Sequence, residues 1–268
     1  MSNGRYNVEK HHQESLDNYL EVCRNDESIL AVLLVGSIAH GFDRPDSDVD
    51  LCLVVDPDEF SRRKAAHKLA FSVREYCTWE GGYLDCKVVD VDFLKQVAES
   101  GSDPARYAFK DSRIVYTKLP DLEQLLADIV TYPAADIETR RDRFASQILA
   151  WKWYYSEGVK KENLYLRNLA VHKLVLFGTR IVLNENRMLY PFHKWMLRVL
   201  ASCDRTPEGF IGAINDLLAN HTLEKVNSYC DMVFAFIGYT DQSVDWPNWF
   251  MSDSEQNWIE HEAPIDDL

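Results

Sequence analysis

The stretch "GSIAHGFDRPDSDVDLCLVV", residues 36–55, decides how the rest of the chain is read. Its second half alternates. Val49, Leu51, Leu53 and Val55 fall on one side of an extended chain, and Asp48, Asp50, Cys52 and Val54 on the other, because successive strand side chains point to opposite faces. Positions two apart on a strand lie ~6.5–7 Å from each other. Two carboxylates at that spacing, Asp48 and Asp50, can therefore converge on a pair of ions ~3.5–4 Å apart. Without a cation they repel each other, and oxygen-only donors favour Mg²⁺. An identical Asp-Val-Asp at residues 90–92 stands between a strand and a helix signal. There Asp92, with Asp90 as the alternative, reads as a helix N-cap.

Working outward, "SILAVLLVG" (28–36) is an aliphatic strand that ends in Gly36-Ser37 and runs into a short helix. Glycine admits close backbone approach, a helix start presents unpaired N–H groups to an anion, and a triphosphate suits both. Ser37 adds a hydroxyl donor. Ser47 either binds phosphate or caps the strand entry, and His40 reads as a turn histidine ahead of a phosphate contact. Residues 16–25 form an amphipathic helix. "DPDEFSRRKAAHKLAFSVREYC" (56–77) reads as one long helix, with Asp56 at its N-cap, Pro57 at its first position and Glu59 three residues after the cap. "YLDCKVVD" (83–90) is a third strand with Asp85 among apolar neighbours, out of keeping with β propensity. If it pairs beside the second strand, Asp85 joins the same site as a third metal ligand or as a general base. A helix follows over about 92–100, and "RIVYTK" (113–118) is a fourth strand.

Charge is uneven along the chain. Residues 1–132 hold 15 Lys and Arg against 24 Asp and Glu, residues 133–240 hold 14 against 11, and residues 241–268 hold none against 8, for a net charge of −14. No region has the basic excess that long nucleic acids require. A cationic small substrate suits the acidity, as does plain solubility. Beyond Tyr132 the strand signals stop, and helical patterns cover roughly 136–157, 163–184, 191–202 and 207–239, the last broken near His221. The expected fold is α+β: a mixed sheet flanked by helices (1–132), then a helical bundle (133–240), then an acidic tail (241–268) whose tryptophans, Trp246, Trp249 and Trp258, dock on the body. No apolar run approaches ~18 residues, the N-terminus has no apolar signal core, and the six cysteines show no CxxC spacing. These point to a reduced, cytoplasmic protein away from membranes.

As a set, Gly36-Ser37, nine intervening residues, Ser47-Asp48-Val49-Asp50-Leu51 and a later strand acid resemble the DNA polymerase β-like nucleotidyltransferase superfamily over residues 28–90. The resemblance implies that Gly36 and Ser37, with Ser47, hold a nucleoside triphosphate, that Asp48 and Asp50 ligate two Mg²⁺ ions, and that Asp85 is the third acid. Layout and length are similar to the antibiotic nucleotidyltransferases that modify streptomycin and lincosamides, which implies resistance chemistry: AMP from ATP moved to a hydroxyl of a small polar acceptor, by a monomer or homodimer. In "NRMLYPFHKW" (186–195), Lys194 after Pro191 at a helix start is similar in placement to a lysine that contacts triphosphate in such enzymes. A solvated lysine beside Trp195 explains it equally. Acceptor contacts are expected from the cleft between the domains and from Trp246, Trp249, Asp253 and Glu255, whose rings and carboxylates suit a cation.

Other classes stay open. A protein-modifying or antitoxin-type nucleotidyltransferase would use a Tyr, Ser or Thr acceptor, and a nucleotide-binding regulator would not turn over. "RNLAVH" (167–172) also fits the R-x4-H pattern of HEPN ribonucleases, whose sites form across a dimer. Arg167 and His172, five apart, diverge by about 140° on a helix, and a polar face of a packed helix explains them more simply.

Overall fold

Six aliphatic residues, Ile29–Leu34, form β1, the strand on which the sheet is built. A computed structural model describes residues 8–259 and 262–267. The chain divides between Thr131 and Tyr132 into two compact units. The first contains α1 (Lys10–Asn25), β1, α2 (Gly36–His40), β2 (Val49–Val55), α3 (Pro57–Ala65), β3 (Ala70–Val73), β4 (Leu84–Asp90), α4 (Val91–Ser100), α5 (Asp103–Tyr107), β5 (Arg113–Thr117) and α6 (Leu122–Val130). Strand order is β3-β4-β2-β1-β5. The sheet is mixed, with β2 and β4 parallel and the other neighbours antiparallel.

The period-2 pattern of β2 sorts its side chains between two cores. Val49, Leu51, Leu53 and Val55 join Leu84, Cys86 and Val88 of β4 under Leu16, Tyr19 and Leu20 of α1. Cys52 and Val54 join Ala31 and Leu33 of β1 on the other face, against Leu94 and Val97 of α4 and Leu122, Leu126 and Ile129 of α6. A central strand buried on both faces accounts for its near-continuous apolar run. Arg106 of α5 is buried and donates to the carbonyls of Ala98, Gly101 and Ile129, linking the ends of α4 and α6.

Two sequence expectations are corrected here. The helix expected over 56–77 ends at Ala65. His67 has a positive φ of 53°, and residues 70–73 become an edge strand antiparallel to β4. Phe71 and Val73 pack on the core while Ala70 and Ser72 do not, a period of 2 in place of 3.6. The added strand satisfies backbone donors and acceptors that the outer edge of β4 would otherwise expose. The cap of α4 is Asp90, not Asp92: its carboxylate accepts from Phe93 N at 2.7 Å, while Asp92 pairs with Lys95. At α3 the reading stands, with Asp56 accepting from the N–H groups of Asp58 and Glu59 at 2.9 Å each. Losing both bonds in Asp56→Ala is expected to cost about 1–2 kcal/mol, read as a lower urea midpoint with an unchanged m-value.

The second unit is helical: α7 (Ile137–Lys160), α8 (Leu164–Glu185), α9 (Met196–Leu200), α10 (Phe210–Ala219), α11 (Leu223–Ile237) and α12 (Trp246–Phe250). Helices α7 and α8 pack along their lengths, and Phe210, Ile214, Val226, Tyr229 and Val233 complete the core. The helix expected over 191–202 is the five-residue α9, so Lys194 lies in the preceding turn rather than at a helix start. After α12 the chain is held to α7 by Arg143–Asp253 and by Gln147 donating to Ser254. Trp246 and Trp249 are half-buried and Trp258 is exposed. All six cysteines are free, and among the described residues no helix is long and apolar enough to cross a membrane.

Candidate active site

Parallel pairing of β2 and β4 sets Asp50 opposite Asp85. Asp48 sits one residue before β2 rather than within it, because the ladder with β4 begins at Val49. The three carboxylates are each half-buried, and each offers one oxygen within 4.8 Å of the others. The turn from β1 into α2 approaches from the opposite side. Gly36 adopts φ +69°, and a Cβ there would overlap the Asp50 carboxylate, lying 2.6 Å from Asp50 Cβ. Val35 N donates to Asp50 O at 3.0 Å, and Ser37 is buried beside it. The structure therefore brings Gly36, Ser37, Asp48, Asp50 and Asp85 to one place.

Burial, then the charge of Asp48 and to a smaller degree that of Asp85, pushes Asp50 up to about 6, while Lys87 and the Ser37 N–H pull it back. A carboxylate that its neighbours disfavour as an anion, at the centre of an oxygen-only donor set, is one a cation would stabilise. The glycine that leaves room for that carboxylate points the same way. Asp48, Asp50 and Asp85 thus fit a hard divalent ion such as Mg²⁺.

Two neighbours escaped the sequence reading. Lys87 lies two residues beyond Asp85 on the same face of β4, opposite Cys52. The period-2 count that selected Asp85 selects Lys87 as well. Tyr83 places its phenol against Asp48, which holds the phenol above its ordinary pKa, and its ring stacks under Arg74 at 5.2 Å. Nothing in the local pattern marks that contact.

The remaining candidates are placed as follows. Ser47 Oγ accepts from Arg44 N at 2.9 Å and so closes the turn before Asp48. Lys194 belongs to the helical unit, exposed, with its ammonium 5.1 Å from the Trp195 ring centroid. His40 is buried, with Nδ1 3.1 Å from Asp111 Oδ2, a packing role. Arg167 and His172 both lie on α8. Between them Asn168 meets His221 Nε2 at 2.9 Å, and His221 Nδ1 meets the Tyr155 hydroxyl at 3.0 Å. The expectation that Asp253 receives a cationic acceptor is corrected: its carboxylate is engaged by Arg143 at 2.8 Å.

A mixed sheet thus gathers three acids at adjacent strand ends beside a glycine-started helix. Residues 16–116 match the nucleotidyltransferase domain family, a span that reaches from α1 into β5 and includes all three acids. The first unit thus holds a nucleotidyltransferase domain. Among solved structures, the chain is similar to a nucleotidyltransferase-like protein from Exiguobacterium sibiricum 255-15 (13% identity, 94% of this chain and 81% of that chain, TM-score 0.47). It is also similar to an aminoglycoside 6-adenyltransferase from Bacillus subtilis (10%, 91% and 97%, TM-score 0.31). A third is a spectinomycin adenyltransferase from Enterococcus faecialis, solved with ATP and spectinomycin (13%, 82% and 98%, TM-score 0.28). No curated protein sequence matches the chain.

Proposed function

We propose that the chain transfers a nucleoside monophosphate, AMP from ATP, to a hydroxyl of a small polar acceptor of the aminoglycoside or lincosamide kind, with Mg²⁺ held by Asp48, Asp50 and Asp85. The observation that carries the transfer chemistry is the convergence of these three carboxylates beside Gly36 and Ser37. The acceptor class rests on the similarity of layout to the antibiotic nucleotidyltransferases.

Asp85 accepts the proton of the acceptor hydroxyl. The freed oxygen forms a bond to the α-phosphorus, the α–β P–O bond breaks, and pyrophosphate leaves with that electron pair. When bound, Mg²⁺ polarises the α-phosphate and neutralises the departing pyrophosphate. Ser37 donates its hydroxyl to a phosphate oxygen, and Gly36 keeps the Asp50 carboxylate in place by lacking a Cβ. Lys87 supplies positive charge on the face of β4 that carries Asp85.

Pyrophosphate release from Mg-ATP and Mg-GTP, followed against a panel of aminoglycosides and lincosamides, tests the reading. Release that requires one acceptor and Mg²⁺, with ATP preferred, is the expected result. Release from neither nucleotide with any member of the panel overturns the small-acceptor reading.

A further inference from the structure

Of the three acids, Asp48 is the one that strand pairing does not hold. Asp50 and Asp85 face each other inside the β2–β4 ladder, which begins at Val49, one residue after Asp48. Asp48 leaves a turn closed by Ser47, so the ladder alone does not fix where its carboxylate points. A neighbour across the sheet does. Val49 N donates to Tyr83 O at 3.2 Å, which carries the parallel register back one step and sets Tyr83 beside Asp48. Tyr83 also stands two residues before Asp85, one before β4 begins, and so shares the face of that strand that bears the acid. From there its hydroxyl donates to the Asp48 carboxylate.

The phenol is held in turn. Val73 of β3 pairs with Leu84 of β4, and the next residue, Arg74, lays its guanidinium 5.2 Å from the Tyr83 ring centroid. Arg74 Nη1 donates to Gly81 O at 3.3 Å, which ties the guanidinium to the turn before Tyr83. The edge strand thus places Arg74 as well as covering β4. A carboxylate has two oxygens. With one accepting from a fixed phenol, the other has a set direction. A ligand oriented by such a partner holds its ion more tightly than one left to rotate.

We infer that Tyr83, held by Arg74, is a positioning residue for the metal: its hydroxyl fixes one oxygen of Asp48 and leaves the other turned toward Asp50 and Asp85. One oxygen of each acid already lies within 4.8 Å of the others. The inference rests on the proposed reading of these acids as Mg²⁺ ligands.

Mn²⁺ serves as the probe, because it takes the same oxygen ligands as Mg²⁺ and its free ion is counted by electron paramagnetic resonance. The full chain is titrated without nucleotide or acceptor, so turnover plays no part. The native chain is expected to bind the ion, and Asp48→Asn to bind it far more weakly. Tyr83→Phe, which keeps the ring under Arg74, is expected to weaken Mn²⁺ about tenfold with an unchanged urea midpoint in EDTA. Arg74→Gln is expected to weaken it too. The sign is informative here. Losing a positive charge beside a cation site would by itself tighten binding, so a weaker affinity reports orientation. Native affinity in Tyr83→Phe overturns the inference. So does unchanged or tighter binding in Arg74→Gln, or a loss in Tyr83→Phe matched by a lower urea midpoint. A native chain that binds no Mn²⁺, or Asp48→Asn that binds it fully, would instead overturn the three-acid reading on which the inference rests.

Discussion

Asp50→Asn is expected to lower nucleotidyl transfer by at least about 10³-fold and, in EDTA at neutral pH, to make the protein harder to unfold. Both effects come from the same carboxylate. Asp50 is held up to about 6 by burial and by the negative charge of Asp48 and Asp85, whereas an unfolded aspartate titrates near 3.9. Between those values the folded chain keeps a proton that the unfolded chain has released. Stability therefore falls as pH rises through that window, and the loss is complete above it. The ionised carboxylate costs about 1–3 kcal/mol at pH 7.5. Asparagine keeps an oxygen for the Ser37 N–H and carries no charge, so the variant regains that energy and loses the pH slope. Added Mg²⁺ is expected to stabilise the native chain and leave the variant nearly unmoved. Urea melts at pH 4.5 and 7.5, with EDTA or Mg²⁺, measure all of this. A variant less stable than the native chain at pH 7.5 in EDTA would remove the argument that the acids repel each other.

How much of the fold and site is legible in the sequence depends on how local each cause is. The alternation in residues 49–55 and the aliphatic run 29–34 are direct imprints of a strand buried on both faces, so the centre of the sheet can be read. Asp85 can be placed because it interrupts an apolar strand, and the parallel register then sets it against Asp50. β3 cannot be read. Four residues that follow a capped, charge-rich helix continue its composition, and only the exposed edge of β4 makes them a strand. Lys194 misleads through its element, since Pro191 suggests a helix start that the chain delays to Met196. Asp253 misleads for a different reason. Its partner Arg143 lies 110 residues away, and no local pattern reports such a pairing. Taken locally, the acidic tail is a surface for cations, yet the carboxylate at its centre is engaged by Arg143.

Gly36→Ala is expected to cost about 2–4 kcal/mol of stability and at least about 10² in rate. Two separable penalties contribute. At φ +69° any L side chain is strained, worth about 1–2 kcal/mol. Gly209 has the same φ with open space where a Cβ would stand, so Gly209→Ala isolates that part and is expected to stop near ~1 kcal/mol. The excess at Gly36 is steric: the new methyl meets the carboxylate of Asp50 and lies 2.6 Å from its Cβ. Asp50 cannot retreat freely, because its own carbonyl oxygen accepts from Val35 N and its strand is bonded to β1 and β4. The methyl therefore moves the carboxylate away from Asp48 and Asp85, which is why the rate falls along with stability. A double-mutant cycle tests the coupling. Removing the carboxylate in Gly36→Ala/Asp50→Ala relieves the clash with it and leaves only the Cβ contact and the backbone strain. The two changes are then expected to be non-additive by about 0.5–2 kcal/mol in the relieving direction. Additive costs would mean that Gly36 serves its turn alone and does not make room for the acid.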